Sequence, residues 1–588
     1  MRRLLIIPIG LLLLLLGAIY FSGGTTDSKA DFIFVNRGDI KTLDLSKMSY
    51  MQDIRMAYGL WEGLYTPDPV TIDPIPGCAF PIEISEDRKT YTFHIRPEAR
   101  WTNGDPVVAA DFLFAWKRAC DSQAEYCELL NYIDGVEAYQ DSFREFQKKS
   151  NSAPKPDFSK VKIETSSDPK FLRVHLKNPT TYFPDLCAFP TFFPLHAQSM
   201  AQRDDKGNIL YEKNGDIKID PSFTKPPKLV SNGPYRLHQW DFKTRLRLVA
   251  SDHYWNKQAV QSRVLDMLTF DDQQNAFTAY ENGAVDWLAE VQDDFAAELY
   301  ALKRTDLKVF PGFGTYFYSF MCREKLPDGS SNPLHDVRVR KALSMSVKKD
   351  YIVDYITRMG EKPAGSFIPQ GVFPGYASPD GLPYDVAKAK ALLADAGYPD
   401  GQGFPRLKIN FNTELPRHKD IAVYMQRQWK ESLNIDMVLD GKEVKSFGDQ
   451  LSKKNYAVSR ASWYGDYNDP TTFTDKYLPE NGNNDSDWRN AKYAALCEQA
   501  NGLPPPGVTD AVKWRLDLFH QAEKIMIEEA PIMPLFSYMN TYLFHEGVTG
   551  LPLSSRQMMM LHALKSDHNK RKSNVSKPAS TLPTVKSN

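Results

Sequence analysis

Between residues 80 and 120 the hydrophobic pattern changes its period, and that change constrains the fold more than any other feature of the chain. Tyr91, Phe93 and Ile95 alternate with Thr92, His94 and Arg96, which gives a strand one apolar face. Glu86-Asp87-Arg88 supplies a turn before it, so residues 80–101 read as a hairpin. After Asn103-Gly104-Asp105-Pro106 the apolar positions become Phe112, Ala115, Trp116 and Ala119, the stripe of a half-buried helix. The switch recurs along the chain. Strand patterns appear at Phe32-Ile33-Phe34-Val35, around Asn232-Gly233-Pro234-Tyr235 and at Leu246-Arg247-Leu248-Val249. Past Phe310-Pro311-Gly312 helices dominate. One starts at Asp336 and carries Val339, Leu343 and Val347; its aspartate is a good N-cap. Another carries Ala389, Leu392, Leu393 and Ala396 and stops at Gly397, as a C-terminal glycine should. A third carries Ile421, Met425 and Trp429, and a last one runs from about Asp510 to just before Pro531. Strands alternating with such helices predict α/β lobes. At 588 residues the chain exceeds what one core can hold, so two or three domains are expected. Residues 140–160, polar and rich in Lys, Ser and Pro, read as a surface loop, and the chain beyond Lys565 as a disordered tail.

The ends say where the chain works. Arg2-Arg3 precedes an apolar run from Leu4 to Phe21, followed by Ser22-Gly23-Gly24, the layout of an export signal. The run is also just long enough to span a bilayer, so residues 1–24 read as a signal peptide cleaved after Gly24 or as a retained anchor. No cysteine follows the run, which argues against lipid attachment there. The formal charge of −1 hides an asymmetry: the positive charge of Ser566–Asn588 and of Arg2-Arg3, set aside, leaves about −7 on the rest. An acidic body argues against nucleic acid as the partner, since phosphate binding needs clustered cations. Six cysteines, Cys78, Cys120, Cys127, Cys187, Cys322 and Cys497, suit an oxidising compartment but allow fifteen pairings. Cys120 and Cys127 are close enough to bridge a short loop. No Cys-x-x-Cys occurs, so a zinc or redox centre is not expected.

The sequence carries no Gly-x-Ser-x-Gly, phosphate-binding loop, His-Glu-x-x-His or dinucleotide fingerprint, so no enzyme is expected, and no cofactor or metal. Asp466-Tyr467-Asn468-Asp469 has the spacing of half a calcium loop, but Pro470 and the missing glycine break it.

Five blocks in order carry a resemblance over about 400 residues. They are Ile84-Ser-Glu-Asp-Arg-Lys-Thr-Tyr-Thr-Phe-His-Ile-Arg; Trp101-Thr-Asn-Gly-Asp-Pro-Val with Asp111-Phe-Leu-Phe-Ala-Trp116; Asn232-Gly-Pro-Tyr with Tyr254-Trp255; Asp336-Val-Arg-Val-Arg-Lys-Ala-Leu; and the helix from Tyr384 to the Gly-Tyr-Pro-Asp-Gly after it. Together they resemble the oligopeptide/dipeptide-binding family of extracytoplasmic solute-binding proteins that serve ABC importers. One departure is Val108, which stands where the family caps the helix of Trp116 with Ser or Thr.

The resemblance implies an α/β, periplasmic-binding-protein-like fold: two hinged lobes with an additional inserted domain, three domains in all. Domain I would comprise 30–63, 190–311 and 540–565, domain II 64–189 and domain III 312–539, with 566–588 as the tail. It further implies capture of short peptides between lobes I and III, delivery to permease subunits in the membrane, and a monomer in the periplasm or otherwise outside the cytoplasm. Site residues follow from Arg460-Ala-Ser-Trp463-Tyr-Gly-Asp466-Tyr-Asn-Asp469-Pro, which resembles the family's ligand segment. In peptide-binding members the aspartate at Asp466 pairs with the α-ammonium, and the arginine at Arg460 with the α-carboxylate. His418 holds the position of a histidine that helps bind the carboxylate of longer peptides. Trp463 packs beside the site, while Ser49, Met51, Tyr126 and Tyr538 match stretches that line the ligand. Val444 stands where a family tryptophan lines a side-chain pocket. Taken without the family, Asp466 reads as a turn capper and Arg460 as a surface charge. The alternative on the same scaffold is a non-peptide solute, such as a nickel complex, haem or an oligosaccharide, or a tethered receptor.

Overall fold

The computed structural model describes residues 28–36, 38–123, 125–149, 155–212 and 215–570. The expected signal or anchor segment, residues 1–24, lies outside the described residues, as do residues 571–588. Among the described residues no helix is long and apolar enough to cross a membrane.

A ten-stranded mixed sheet runs through the molecule. From one edge its order is Met437–Lys442, Leu407–Asn412, Val458–Tyr464, Leu307–Phe320, Ile532–Phe544, Trp287–Leu288, Phe32–Val35, Val264–Leu268, Arg245–Ala250 and Tyr235–Asp241. Each half contains parallel pairs, Phe32–Val35 with Val264–Leu268 and Leu407–Asn412 with Met437–Lys442. Parallel neighbours need crossover helices, which is why strand and helix periods alternate in sequence. The long antiparallel pair Leu307–Phe320 and Ile532–Phe544 belongs to both halves. Its register holds from Leu307↔Leu543 to Pro311↔Met539, breaks, and resumes at Thr315↔Ser537. A register break bends and twists a strand pair, and this one divides the lobes. Gly312 and Gly314 sit in it because backbone leaves no room: a Cβ there would stand 2.8 Å from the Tyr538 carbonyl and 2.6 Å from that of Trp463.

The hairpin read at 80–101 is present as Glu83–Ile84 and Thr90–His94, extended by Phe171–His175 and Ile163–Thr165 into a separate four-stranded sheet. Its core is continuous with that of the first lobe: Tyr91, Phe93, Trp101, Phe112 and Trp116 pack in one buried cluster with Phe32, Tyr235 and Leu248. The missing cap at Val108 is offset from within the helix Ala109–Ser122. The Asp111 carboxylate accepts the Val108 N–H at 2.9 Å and the Trp101 Nε1–H at 3.0 Å. Buried in this way, the Asp111 carboxyl is pushed up to about 6.

Three expectations need correction. The first part of 140–160 is not loop: Val136–Lys148 is a helix that buries Tyr139, Phe143 and Phe146. Those aromatics, spaced four and three apart, are a helical stripe masked by the intervening polar residues. The tail does not begin at Ser566, which pairs with Val548 and bonds Asp286, while the Asp567 N–H reaches the Gly547 carbonyl at 3.1 Å. Finally, all six cysteines are unbridged. Cys120 and Cys127 approach opposite ends of the Gln140 amide, at 3.7 and 4.0 Å, rather than each other.

Candidate functional site

At the register break the lobes enclose a cavity of about 840 Å³, within the usual range for sites that hold a small ligand. Ser49 and Met51, at the start of helix Met51–Leu60, line one wall with Tyr126, whose ring meets Phe189 edge-on at 5.0 Å. Residues 414–417 and 464–466 form the facing wall, and 538–541, from strand Ile532–Phe544, lie between.

Asp466 lines the cavity, and its backbone is fixed on both sides. Gly465 donates its N–H to the Phe313 carbonyl at 2.8 Å. It must be glycine, because a Cβ there would stand 2.2 Å from the Phe313 ring. The Asp466 N–H donates to Thr472 Oγ1 at 2.8 Å. The following residues reach elsewhere. Tyr467 stacks on Tyr182 at 4.9 Å and meets the Tyr132 hydroxyl at 2.8 Å. The Asn468 N–H donates to Asp185 at 2.8 Å, and Asp185 also holds Arg556 in a buried bidentate pair.

Strand parity separates the other predicted residues. Along Val458–Tyr464 successive side chains alternate between faces. Arg460 and Tyr464 share one and Trp463 takes the other. Arg460 donates to the Tyr538 hydroxyl at 3.2 Å and lies over the Tyr316 ring at 5.0 Å. Tyr464 stacks on Tyr538 at 4.7 Å. Trp463 packs with the apolar cluster of Phe317 and Phe473 and donates to the Thr472 carbonyl.

Of the predicted residues Asp466, Tyr538, Tyr126, Met51 and Ser49 line the cavity, and Arg460, His418 and Trp463 do not. His418 is 1% exposed, bonded to the Tyr316 hydroxyl at 3.1 Å and parallel to that ring. Burial, reinforced by the Arg460 and Arg417 charges, pushes the imidazole down to about 2, so it is neutral. Val444 opens the helix Val444–Ser452 away from the lining, half exposed.

Residues that sequence reasoning missed are Arg417, Glu290, Glu414 and Tyr464, all in the lining. Tyr464 could have been found from parity with Arg460, and Arg417 from its place beside Pro416 at a helix start. Glu290 belongs to the other lobe and carried no local signal. The charges lining the cavity are Asp271, Asp272, Glu290, Glu414 and Asp466 against Arg417 and Arg556.

The oligopeptide-binding protein of Bacillus subtilis (strain 168) is 32% identical over 490 residues, covering 82% of this chain and 82% of its own. Among solved structures, the unliganded open form of a periplasmic murein tripeptide binding protein superposes with a TM-score of 0.72 at 27% identity, covering 93% of this chain and 99% of that one. The Haemophilus influenzae homologue in complex with the peptide RPPGFSPFR gives 0.70 at 26% identity, covering 92% and 99%. Residues 73–485 match the description of bacterial extracellular solute-binding proteins, family 5 Middle. With the two-lobed fold and the cavity at its register break, this places the chain in that family: it belongs to the bacterial extracellular solute-binding proteins of family 5.

Proposed function

We propose that the protein captures short peptides in the cavity between its lobes and hands them to the permease of an ABC importer. The observation that carries this reading is the placement of Asp466, a carboxylate held by a fixed loop on the cavity wall. A peptide's α-ammonium needs such a partner, because a buried charge left unpaired costs several kcal/mol. Backbone beside it, on strands meeting at the register break, offers main-chain bonding that ignores side-chain identity. The relatives' names support the same class of ligand.

In this reading domain I (30–63, 190–311 and 540–565, with 566–570 added) and domain III (312–539) close on the ligand about the strand pair they share, with domain II (64–189) riding on domain I. The protein acts as a monomer outside the cytoplasm, held by its N-terminal segment or released from it. Native mass spectrometry of protein purified without denaturation tests the reading. A ladder of peptide masses is the expected result, and a single non-peptide mass would overturn it.

A further inference from the structure

A peptide's carboxylate end needs a cation on the cavity side, and the two residues that the family resemblance nominates are not there. Arg460 is not among the lining residues, and its guanidinium donates to the Tyr538 hydroxyl at 3.2 Å. His418 is neutral and turned to Tyr316. The chain instead enters the cavity at 414–417, where it passes from strand Leu407–Asn412 into helix Pro416–Leu433. The N-cap there, Leu415, has no side chain to bond the first turn, and Pro416 at the first helical position has no N–H. Glu414 and Arg417 are the charged side chains that this segment brings to the lining, and Arg417 is its cation.

Two cations line the cavity, Arg417 and Arg556. Arg556 is committed to Asp185 by two bonds of 2.8 Å. The Arg417 guanidinium lies 5.9 Å from the centre of the Tyr538 ring, itself part of the lining. Burial pushes Arg417 below its usual range and Arg460 adds to this, while Tyr538, Tyr464 and Glu290 pull it back. It is a cation that gains from every anion brought near. Glu290 follows strand Trp287–Leu288 and lines the same cavity as Arg417.

We propose that Arg417, rather than Arg460 or His418, receives the terminal carboxylate of the bound peptide, and that Glu290 competes with that carboxylate for it. The assignment rests on the peptide reading above and names the residue that selects a free C-terminus. Arg460 and Tyr538 then position Arg417's surroundings, and burial, reinforced by the Arg460 and Arg417 charges, keeps His418 neutral.

The test presents the full-length protein with one tri- to pentapeptide library in two forms, free acids and C-terminal amides, and weighs the bound peptides by native mass spectrometry. In wild type the free acids should dominate. Arg417→Gln should weaken free acids roughly ten- to hundredfold, the range of a lost charged hydrogen bond, and leave amides nearly unchanged. Arg417→Lys should restore part of the preference. Glu290→Gln should act in the opposite direction and strengthen free acids alone, a gain that misfolding cannot imitate. Equal losses for acids and amides in Arg417→Gln would overturn the assignment, as would an acid-specific loss in Arg460→Ala with none in Arg417→Gln. If wild type retains neither form, the peptide reading itself fails and the assignment falls with it.

Discussion

Asp466→Asn separates recognition of the ammonium from the architecture of the loop that presents it. The substitution keeps the side chain's shape and leaves both backbone anchors in place, since Gly465 is bonded to the Phe313 carbonyl and the Asp466 N–H to Thr472 Oγ1. What changes is one negative charge on the cavity wall. Breaking a buried ion pair by neutralising one partner costs about 3–5 kcal/mol. Asp466 is only partly buried before a ligand arrives, so water screens part of the interaction and the lower end applies. That is about 3 kcal/mol, or roughly a hundredfold in affinity. The assay is isothermal titration calorimetry with the peptides recovered from the native protein, resynthesised with free and with acetylated N-termini. An acetylated peptide has no ammonium, so it should bind wild type poorly and lose little in the variant. The coupling term of this double cycle is the quantity sought. Equal weakening of both peptide forms would refute the reasoning and make Asp466 a structural residue.

Three other outcomes follow from the packing. Gly465→Ala puts a Cβ against the Phe313 ring, 2.2 Å away, which should cost about 1–3 kcal/mol of overpacking and lower both melting temperature and peptide affinity; an unchanged melting temperature would show that the strand end yields freely. Asp185→Asn leaves Arg556 buried without its charge partner, a loss of about 3–5 kcal/mol; unchanged thermal stability would show that the pair is not buried in solution. Glu523, buried beneath Tyr376 and the Ile368 N–H, has its carboxyl pushed up to about 7 by burial. The folded state therefore holds a proton that the unfolded chain has released between about pH 4.5 and 7, and wild type loses stability as pH rises through that window. Glu523→Gln does not titrate, so its melting temperature relative to wild type should climb from pH 4.5 to 7, and a constant difference across the window would contradict the buried protonated carboxyl.

Much of the fold was legible because hydrophobic period reports burial directly. The strand Phe32–Val35, the hairpin before Trp101 and the helices capped by Asp336, Asp385 and Asp510 are where their patterns placed them, except that the first of these helices ends at Met345, short of Val347. The helix Val136–Lys148 was missed because its three buried aromatics are diluted by Gln, Glu, Lys and Ser. The first residues of the tail were missed because two-residue pairing such as Val548 with Ser566 leaves no periodic trace. The motif and sequence position put Asp466 and Tyr538 among the candidates, and both line the cavity. The roles of Arg460 and His418 depend on which side of Tyr316 and Tyr538 the cavity lies, and a linear sequence contains no such information. Glu290 and Arg417 reach the same cavity only after some 130 intervening residues have folded.

The loop that carries Asp466 has a capping residue of its own. An aspartate in a Gly-Asp-Tyr-Asn-Asp-Pro turn is by default a capper, and this turn does have one. It is Asp469, whose Oδ1 accepts the Thr471 N–H at 3.0 Å and the Thr471 hydroxyl at 2.8 Å, while its carboxylate pairs with Arg515. The capping is done there, and Asp466 lies on the cavity wall. The residues between the two tie the loop to the opposite part of the molecule, Tyr467 against Tyr182 and Tyr132, Asn468 onto Asp185. A charge that engages Asp466 therefore acts on a segment already anchored across the lobes. The ammonium contact and the docking of the lobes should then respond together: a free peptide should compact the protein in small-angle scattering, and its acetylated form should bind with less compaction. Identical scattering from the two complexes would show that Asp466 recognises the ligand without taking part in closure.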